Sequence, residues 1–323
     1  MNIDAGLFVR VHGIDQWITL RGVDSNNPPL LIVSGPGAAF SRLTPFFAPW
    51  ERDFTLVQWD QPGAGATQAK NGDAGTGALT FDRIARDGID VAQFVCRHLR
   101  VPKVALLGIS GGSIIALKMV GARPDLFFAY VGSGQIIDWV RQEPESYAMV
   151  LAEARAAGNR EAVAELEQLG PPPYRDAAAD AIKSKYANTL TAAEQAAFAA
   201  LDPSEMAAIN APPAGASYIA PDLPLLEVMT TAMAAYAKLR DELVVFDARS
   251  LGLDFDVPMF FFQGGCDAFT VVSLVEAYAA DIRAPKKVLE LIEGGGHSAF
   301  FVRDKFIDLL VRFVKPLAVS KPH

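Results

Sequence analysis

Two stretches near the start of the chain, Gly6 to Gly13 and Gln16 to Arg21, alternate apolar and polar residues about a short break containing Gly13, Ile14 and Asp15. Strand side chains point alternately to two faces, so this pattern predicts an antiparallel hairpin with one buried face. Farther on, the alternation gives way to dense apolar runs at Leu30 to Val33, Phe54 to Trp59 and Val104 to Leu107. Such runs are expected of strands covered on both faces. Between the last two lies Phe81 to Arg100, where Ile84, Gly88, Val91, Phe94, Val95 and Leu99 recur at helical spacing and Thr80 stands at the N-cap position. Helices alternating with buried strands specify a parallel sheet. Phe128 to Gly132, Met259 to Gln263 and Lys287 to Ile292 predict three further strands. Ser113 to Val120, Val271 to Asp281 and Ser298 to Val314 predict helices.

From Gln135 to about Arg249 the character changes. The segment is rich in Ala, Glu and Leu, and Pro171-Pro172-Pro173, Pro203, Pro212-Pro213 and Pro221 cut it into short helices followed by a longer one, Leu225 to Asp247. This pattern predicts a helical cap over residues 135–249, inserted between two parts of an α/β core at 1–134 and 250–323. The segment holds 9 Lys or Arg against 17 Asp or Glu, while the rest of the chain is balanced. The excess reads either as a solvated face or as a lid that attracts a cationic group.

Bulk properties narrow the function. A chain of 323 residues, 51% hydrophobic, has ample material for a large core. Net charge is −8 with no basic run, which argues against nucleic acid or an anionic membrane surface as partner. Met1 to Arg10 lacks the pattern of a signal peptide, and no apolar stretch reaches the roughly 20 residues of a membrane span. The expectation is a soluble, cytoplasmic protein. Cys96 and Cys266 share no ligand or redox spacing, so free thiols are expected, with no metal and no cofactor.

Gly108-Ile109-Ser110-Gly111-Gly112 joins the run Val104 to Leu107 to the helix that follows. Strand, Gly-x-Ser-x-Gly, helix is the context of a nucleophile elbow, a sharp turn that presents a serine hydroxyl at a helix N-terminus. Serine needs a base and the base an orienting acid. Of four histidines, His12 lies in the hairpin, His98 in the helix Phe81 to Arg100, and His323 at the end of the chain. His297 follows Gly294-Gly295-Gly296 after the last strand and should open the last helix, at the sheet edge where ligands bind. Asp267 ends the turn after Met259 to Gln263 and completes the order Ser, Asp, His. Its rivals Asp254 and Asp256 precede that strand. Oxyanion donors are expected at the backbone N–H of Gly111 and of Gly35, in the loop after Leu30 to Val33. Asp60-Gln61-Pro62-Gly63-Ala64-Gly65 is expected to shape the pocket.

With these residues in place, the chain resembles the proline iminopeptidase branch of the α/β-hydrolases, peptidase family S33. Members carry His-Gly-Gly-Pro-Gly where this chain has Val33-Ser34-Gly35-Pro36-Gly37. They carry Asp-Gln-Arg-Gly-x-Gly against Asp60-Gln61-Pro62-Gly63-Ala64-Gly65, and Gly-x-Ser-Trp-Gly-Ser against Gly108-Ile109-Ser110-Gly111-Gly112-Ser113. The acid loop and the Gly-Gly-His ending match Asp267 and His297. The resemblance implies an eight-stranded, mostly parallel sheet with a cap after the sixth strand, and cap glutamates that grip a substrate's free amine. Val33, Pro62 and Gly111, in place of histidine, arginine and tryptophan, alter the pocket wall.

Ser110, Asp267 and His297 are therefore expected to cleave an amide or ester through an acyl-enzyme, with an N-terminal proline peptide as leading substrate. A carboxylesterase on small uncharged esters is the enzymatic alternative, and a binding protein that keeps the fold is a third. Dehalogenase and epoxide-hydrolase chemistry would need an aspartate at the elbow.

Overall fold

The computed structural model describes residues 1–187, 189–223 and 228–318. Eight strands form one sheet: β1 (Ile3–Val11), β2 (Ile14–Gly22), β3 (Pro29–Val33), β4 (Thr55–Asp60), β5 (Val104–Ile109), β6 (Phe127–Ser133), β7 (Met259–Gly264) and β8 (Lys287–Ile292). Their order is β1-β2-β4-β3-β5-β6-β7-β8. The pairs β1–β2 and β2–β4 are antiparallel, and every other pair is parallel. The mostly parallel eight-stranded sheet expected from the sequence is thus present.

The dense strands are buried on both faces, and their period of two divides the core. Leu31, Val33, Val57 and Leu106 pack with Ile84, Val91, Ile115 and Val120 from the helices Phe81–Leu99 and Gly111–Ala122. Leu30, Ile32, Leu56, Leu107 and Phe262 turn the other way, onto Phe46, Phe47, Trp50, Phe306 and Leu310. Trp50 stacks on Phe306 with ring centroids 5.4 Å apart. Thr80 caps the helix Phe81–Leu99 by accepting from the Arg83 N–H at 3.0 Å.

Three local expectations need correction. The hairpin turn is His12-Gly13, one residue earlier than the break at Gly13 to Asp15, because both have positive φ (44° and 88°), as a two-residue turn of this hand requires. Ser298 to Val314 is not one helix: a single turn at Ala299–Phe301, an α-helical stretch Arg303–Leu309 and a wider π turn Leu310–Val314 follow one another. Val302 takes a non-helical ψ of 62° between the first two, so His297 precedes a short turn and does not open a continuous helix. The long helix ends at Leu243, short of Asp247, whose side chain caps the next turn at the Arg249 N–H. Its expected first residues, Leu225 to Glu227, lie outside the described residues.

Between β6 and β7 the chain runs through the helices Trp139–Ala156, Arg160–Leu169, Ala177–Ala187, Ala192–Ala199, Pro203–Asn210 and Val228–Leu243. The start and end of this excursion are tied: Trp139 N–H donates to the Phe246 carbonyl at 3.0 Å, and Ala248 N–H to that of Ile137 at 2.6 Å. It therefore leaves and rejoins the sheet at one place.

Trp50 is fully buried, so Trp50→Ala should destabilise the fold by about 3–5 kcal/mol, read from the midpoint of urea unfolding.

Candidate active site

Ser110 sits between β5 and the helix Gly111–Ala122 with φ 54° and ψ −128°, a conformation that strains any side chain carrying Cβ. Its N–H donates to the Ser133 carbonyl at 2.9 Å, and its own carbonyl accepts from Ser113 N–H at 2.8 Å. A Cβ on Gly112 would come within 2.0 Å of the Val33 carbonyl oxygen, and one on Gly108 within 2.8 Å of Ser113 Cα. Both flanking glycines are therefore required by close backbone approach.

His297 Nε2 is 2.8 Å from Ser110 Oγ, and His297 Nδ1 is 3.2 Å from Asp267 Oδ2. Asp267 is fully buried, and its carboxylate is surrounded by donors. Phe269 N–H and Thr270 N–H donate to Oδ1 at 2.9 and 2.8 Å, and Gln263 Nε2 to Oδ2 at 2.7 Å, joined there by the Thr270 hydroxyl. An ionised carboxylate only accepts, so Nδ1 must carry the ring proton. Nε2 is then free to receive the serine proton.

The structure thus brings Ser110, Asp267 and His297 together and leaves the alternatives elsewhere. His12 bonds Asp87 at 2.7 Å, and His98 stacks on Phe94. Asp254 pairs with Arg283 on the surface at the opposite end of β7, Asp256 is exposed, and His323 lies outside the described residues. The Asp60 to Gly65 loop stands one layer behind the pocket expected of it. Its Gln61 Nε2 donates to the Ser34 carbonyl at 2.8 Å, which steadies the loop of Gly35. Asp60 itself is buried, and burial raises its pKa to about 6 against the pull of Ala66 N–H and Ser41.

Sequence reasoning missed Tyr236, on the helix Val228–Leu243. Its hydroxyl lines the same cavity as Ser110 and stands against the Gly111 backbone; burial pushes its pKa above the ordinary value, opposed by the nearby Ser110 hydroxyl and Gly111 N–H. Cβ atoms built on Gly111 and Gly35 would lie 2.2 and 2.8 Å from this oxygen. The small residue at 111 was the signal, since it leaves space beside Ser110 that another side chain must fill.

Ser110 and His297 open into a cavity of about 210 Å³ walled by Trp139, Phe269, Leu243 and Val244, with Asp180 and Arg240 as its charged lining. Those two pair, Arg240 Nε to Asp180 Oδ2 at 2.5 Å. Both residues, with Trp139 and Val244, also wall a second cavity of about 370 Å³ that contains Glu143 and Tyr174. Glu143 Oε1 accepts from buried Lys183 at 2.5 Å, whereas Oε2 has no hydrogen bond, and Gln142 beside it does not reach bonding geometry. Burial raises the Glu143 pKa and lowers that of Lys183, each opposed by the other's charge. Among the described residues, no three His, Cys, Asp or Glu side chains are grouped to hold a metal, and no helix is long and apolar enough to cross a membrane. Cys96 and Cys266 are unbridged.

The model of the serine aminopeptidase family S33 matches residues 28–304. The chain belongs to this family. It is 26% identical to the probable aminopeptidase YbaC of Bacillus subtilis over 88% of this chain and 87% of that protein. A proline iminopeptidase-related protein of Thermus thermophilus superposes with a TM-score of 0.66 at 16% identity, covering 98% of each chain. An esterase of Rhodococcus sp. ECU1013 gives 0.58 at 16% identity over 98% of this chain and 99% of that one. The S33 chain has the α/β-hydrolase fold and is a hydrolase.

Strain at the S33 elbow is measurable. Ser110→Gly should be more stable than Ser110→Ala by about 1–2 kcal/mol, because both lack the hydroxyl and only glycine relaxes at this φ and ψ. Asp60 supplies a pH test. Its folded pKa exceeds that of an unfolded aspartate, so ionisation opposes folding, by about 0.5 kcal/mol near pH 4 and by about 3 kcal/mol once the pH passes 6. Asp60→Asn should exceed the wild type in urea only slightly at pH 4 and by far more at pH 7.5.

Proposed function

We propose that the protein is a serine aminopeptidase that releases a small N-terminal residue, proline foremost, through an acyl-enzyme. The observation that carries the serine mechanism is the unbroken chain from Asp267 through His297 to Ser110 Oγ. As Ser110 Oγ bonds to the carbonyl carbon, its proton passes to His297 Nε2, and the carbonyl electron pair moves onto oxygen. The backbone N–H groups of Gly35 and Gly111 serve as its donors. Collapse of the intermediate expels the amine, which takes the proton from His297, and water repeats the sequence on the ester. Asp267 keeps the ring in the tautomer that serves both steps.

Support for an amine substrate comes from Glu143. A buried carboxylate oxygen without a donor costs about 1–3 kcal/mol or more, and a ligand N–H would relieve it. Tyr174, whose hydroxyl is also unpartnered, and Asp180 share that cavity, which adjoins the serine pocket through Trp139, Asp180, Arg240 and Val244. The segment between β6 and β7 then serves as a cap that binds the substrate's ammonium. A carboxylesterase is the second reading, favoured by the apolar walls beside Ser110 and the mutual neutralisation of Asp180 and Arg240. No observation favours a binding protein. Solution in the cytoplasm, as the sequence suggests, suits either enzyme.

A fluorophosphonate probe should label the wild type and spare Ser110→Ala; absence of labelling in both would sink the serine mechanism. His297→Ala should lose about 10⁶ in kcat and Asp267→Asn about 10⁴, whereas Asp254→Asn should be unchanged. Prolyl arylamide should turn over faster than a short acyl nitrophenyl ester, and Glu143→Gln should raise KM for the arylamide alone. Turnover of the ester with none of the arylamide would assign the esterase reading instead.

A further inference from the structure

The hydroxyl of Tyr236 stands where serine chemistry needs another oxygen. It shares the cavity with Ser110, stands against the backbone of Gly111, whose N–H and the Ser110 hydroxyl both act on it, and lies against Gly35 on the far side. That is the place of the oxygen in a tetrahedral intermediate.

Counting protons orients the group. Gly111 N–H has only a proton to offer, so the phenol oxygen accepts there. The one hydroxyl proton of Ser110 is directed at His297 Nε2, 2.8 Å away. The contact between Tyr236 and Ser110 must then use the phenol proton, so Tyr236 donates to Oγ. The helix carrying it is fixed on the oxyanion loop: Thr231 Oγ1 donates to the Gly37 carbonyl at 2.7 Å, and a Cβ on Gly37 would fall 2.4 Å from the Thr231 carbonyl oxygen. Tyr236 therefore approaches from a docked element. Burial keeps the phenol protonated at neutral pH, so the donor persists.

Resting on the serine mechanism above, we propose that Tyr236 is a catalytic residue, a third oxyanion donor that holds the oxyanion position in the free enzyme and yields it to the substrate oxygen. No covalent bond to Tyr236 breaks; its oxygen gives up the Gly111 N–H to the substrate oxygen. When Oγ bonds to carbon and its proton leaves for His297, the phenol hydrogen bond passes from Oγ to the oxygen that has gained the carbonyl electron pair. In the free enzyme this bond engages a neutral hydroxyl; in the transition state it engages an anion. A hydrogen bond that strengthens along the reaction lowers the barrier, which one made equally throughout does not. Gly111 leaves the space this arrangement occupies.

Wild type and Tyr236→Phe are compared on the nitrophenyl ester and the prolyl arylamide, with thermal unfolding as the fold control. Removing an oxyanion donor costs about 10²–10³ in kcat, so Tyr236→Phe is expected to lose that much on whichever substrate the wild type uses, with KM nearly unchanged. A boronic acid, whose tetrahedral adduct places an oxygen at the same point, should bind the variant more weakly by about the same factor. A role in packing alone would lower the unfolding temperature without that matched loss of kcat and boronate affinity. Equal or higher kcat in a folded Tyr236→Phe would show that the hydroxyl only obstructs the site, and would overturn the proposal. If the variant does not fold, a structure of the wild-type boronate adduct decides: Tyr236 Oη within about 3 Å of the boronate oxygen supports donation, and displacement beyond hydrogen-bonding reach overturns it. A wild type that neither labels nor turns over would fail the serine mechanism itself, a result distinct from an active wild type with an unaffected variant.

Discussion

Loops at the end of a parallel sheet keep a shape only if their backbone groups find partners, and here those partners come from the helices between β6 and β7. The buried Ser146 hydroxyl donates to the Ala268 carbonyl at 2.5 Å, beside Asp267. Thr191 Oγ1 donates to the Gly294 carbonyl at 2.6 Å, and Glu194 Oε1 accepts from Gly296 N–H at 2.8 Å, immediately before His297. Thr231 holds Gly37 in the loop of Gly35, and Tyr236 reaches the elbow. The loops of Asp267, His297 and Gly35 and the elbow of Ser110 are each met by a different residue of one segment. A lid that merely covered a finished site would leave those bonds to the core.

The buried charges follow the same logic. Asp267 lies among five donors, whereas Lys183 and Glu143 satisfy each other and leave one carboxylate oxygen over. Lys183 also lies 4.9 Å from the centre of the Phe269 ring, which in turn packs against His297 at 4.6 Å. The excess of acidic side chains between β6 and β7 is therefore not what faces the serine. Near the site its charges are balanced pair by pair, and what distinguishes Glu143 is the direction of an unpaired oxygen.

Much of this was legible in the chain because it was written as local pattern. Dense apolar runs mark strands buried twice, and the sheet edge above them gathers Ser110, Asp267 and His297 because each follows its strand through glycine. What escaped was of two kinds. The helical periodicity of Ser298 to Val314 survives in the sequence although Val302 interrupts the helix, since apolar spacing does not report one residue's ψ. The Tyr236 contact spans 125 residues, and no pattern near either partner specifies their meeting.

Gly111 and Tyr236 show how such a distant pair could still be inferred. In the family that this chain resembles, a tryptophan commonly follows the elbow serine. With glycine there, the space beside Ser110 must be filled from across the cleft, and a Cβ at 111 would already collide with the phenol. An aromatic group that comes from the segment between β6 and β7 instead of the elbow differs in chemistry as well as in origin. An indole at residue 111 would belong to the turn that carries Ser110, whereas the phenol belongs to Val228–Leu243, the helix that also walls the cavity at Leu243. The surroundings of Ser110 are thereby completed by the segment between β6 and β7.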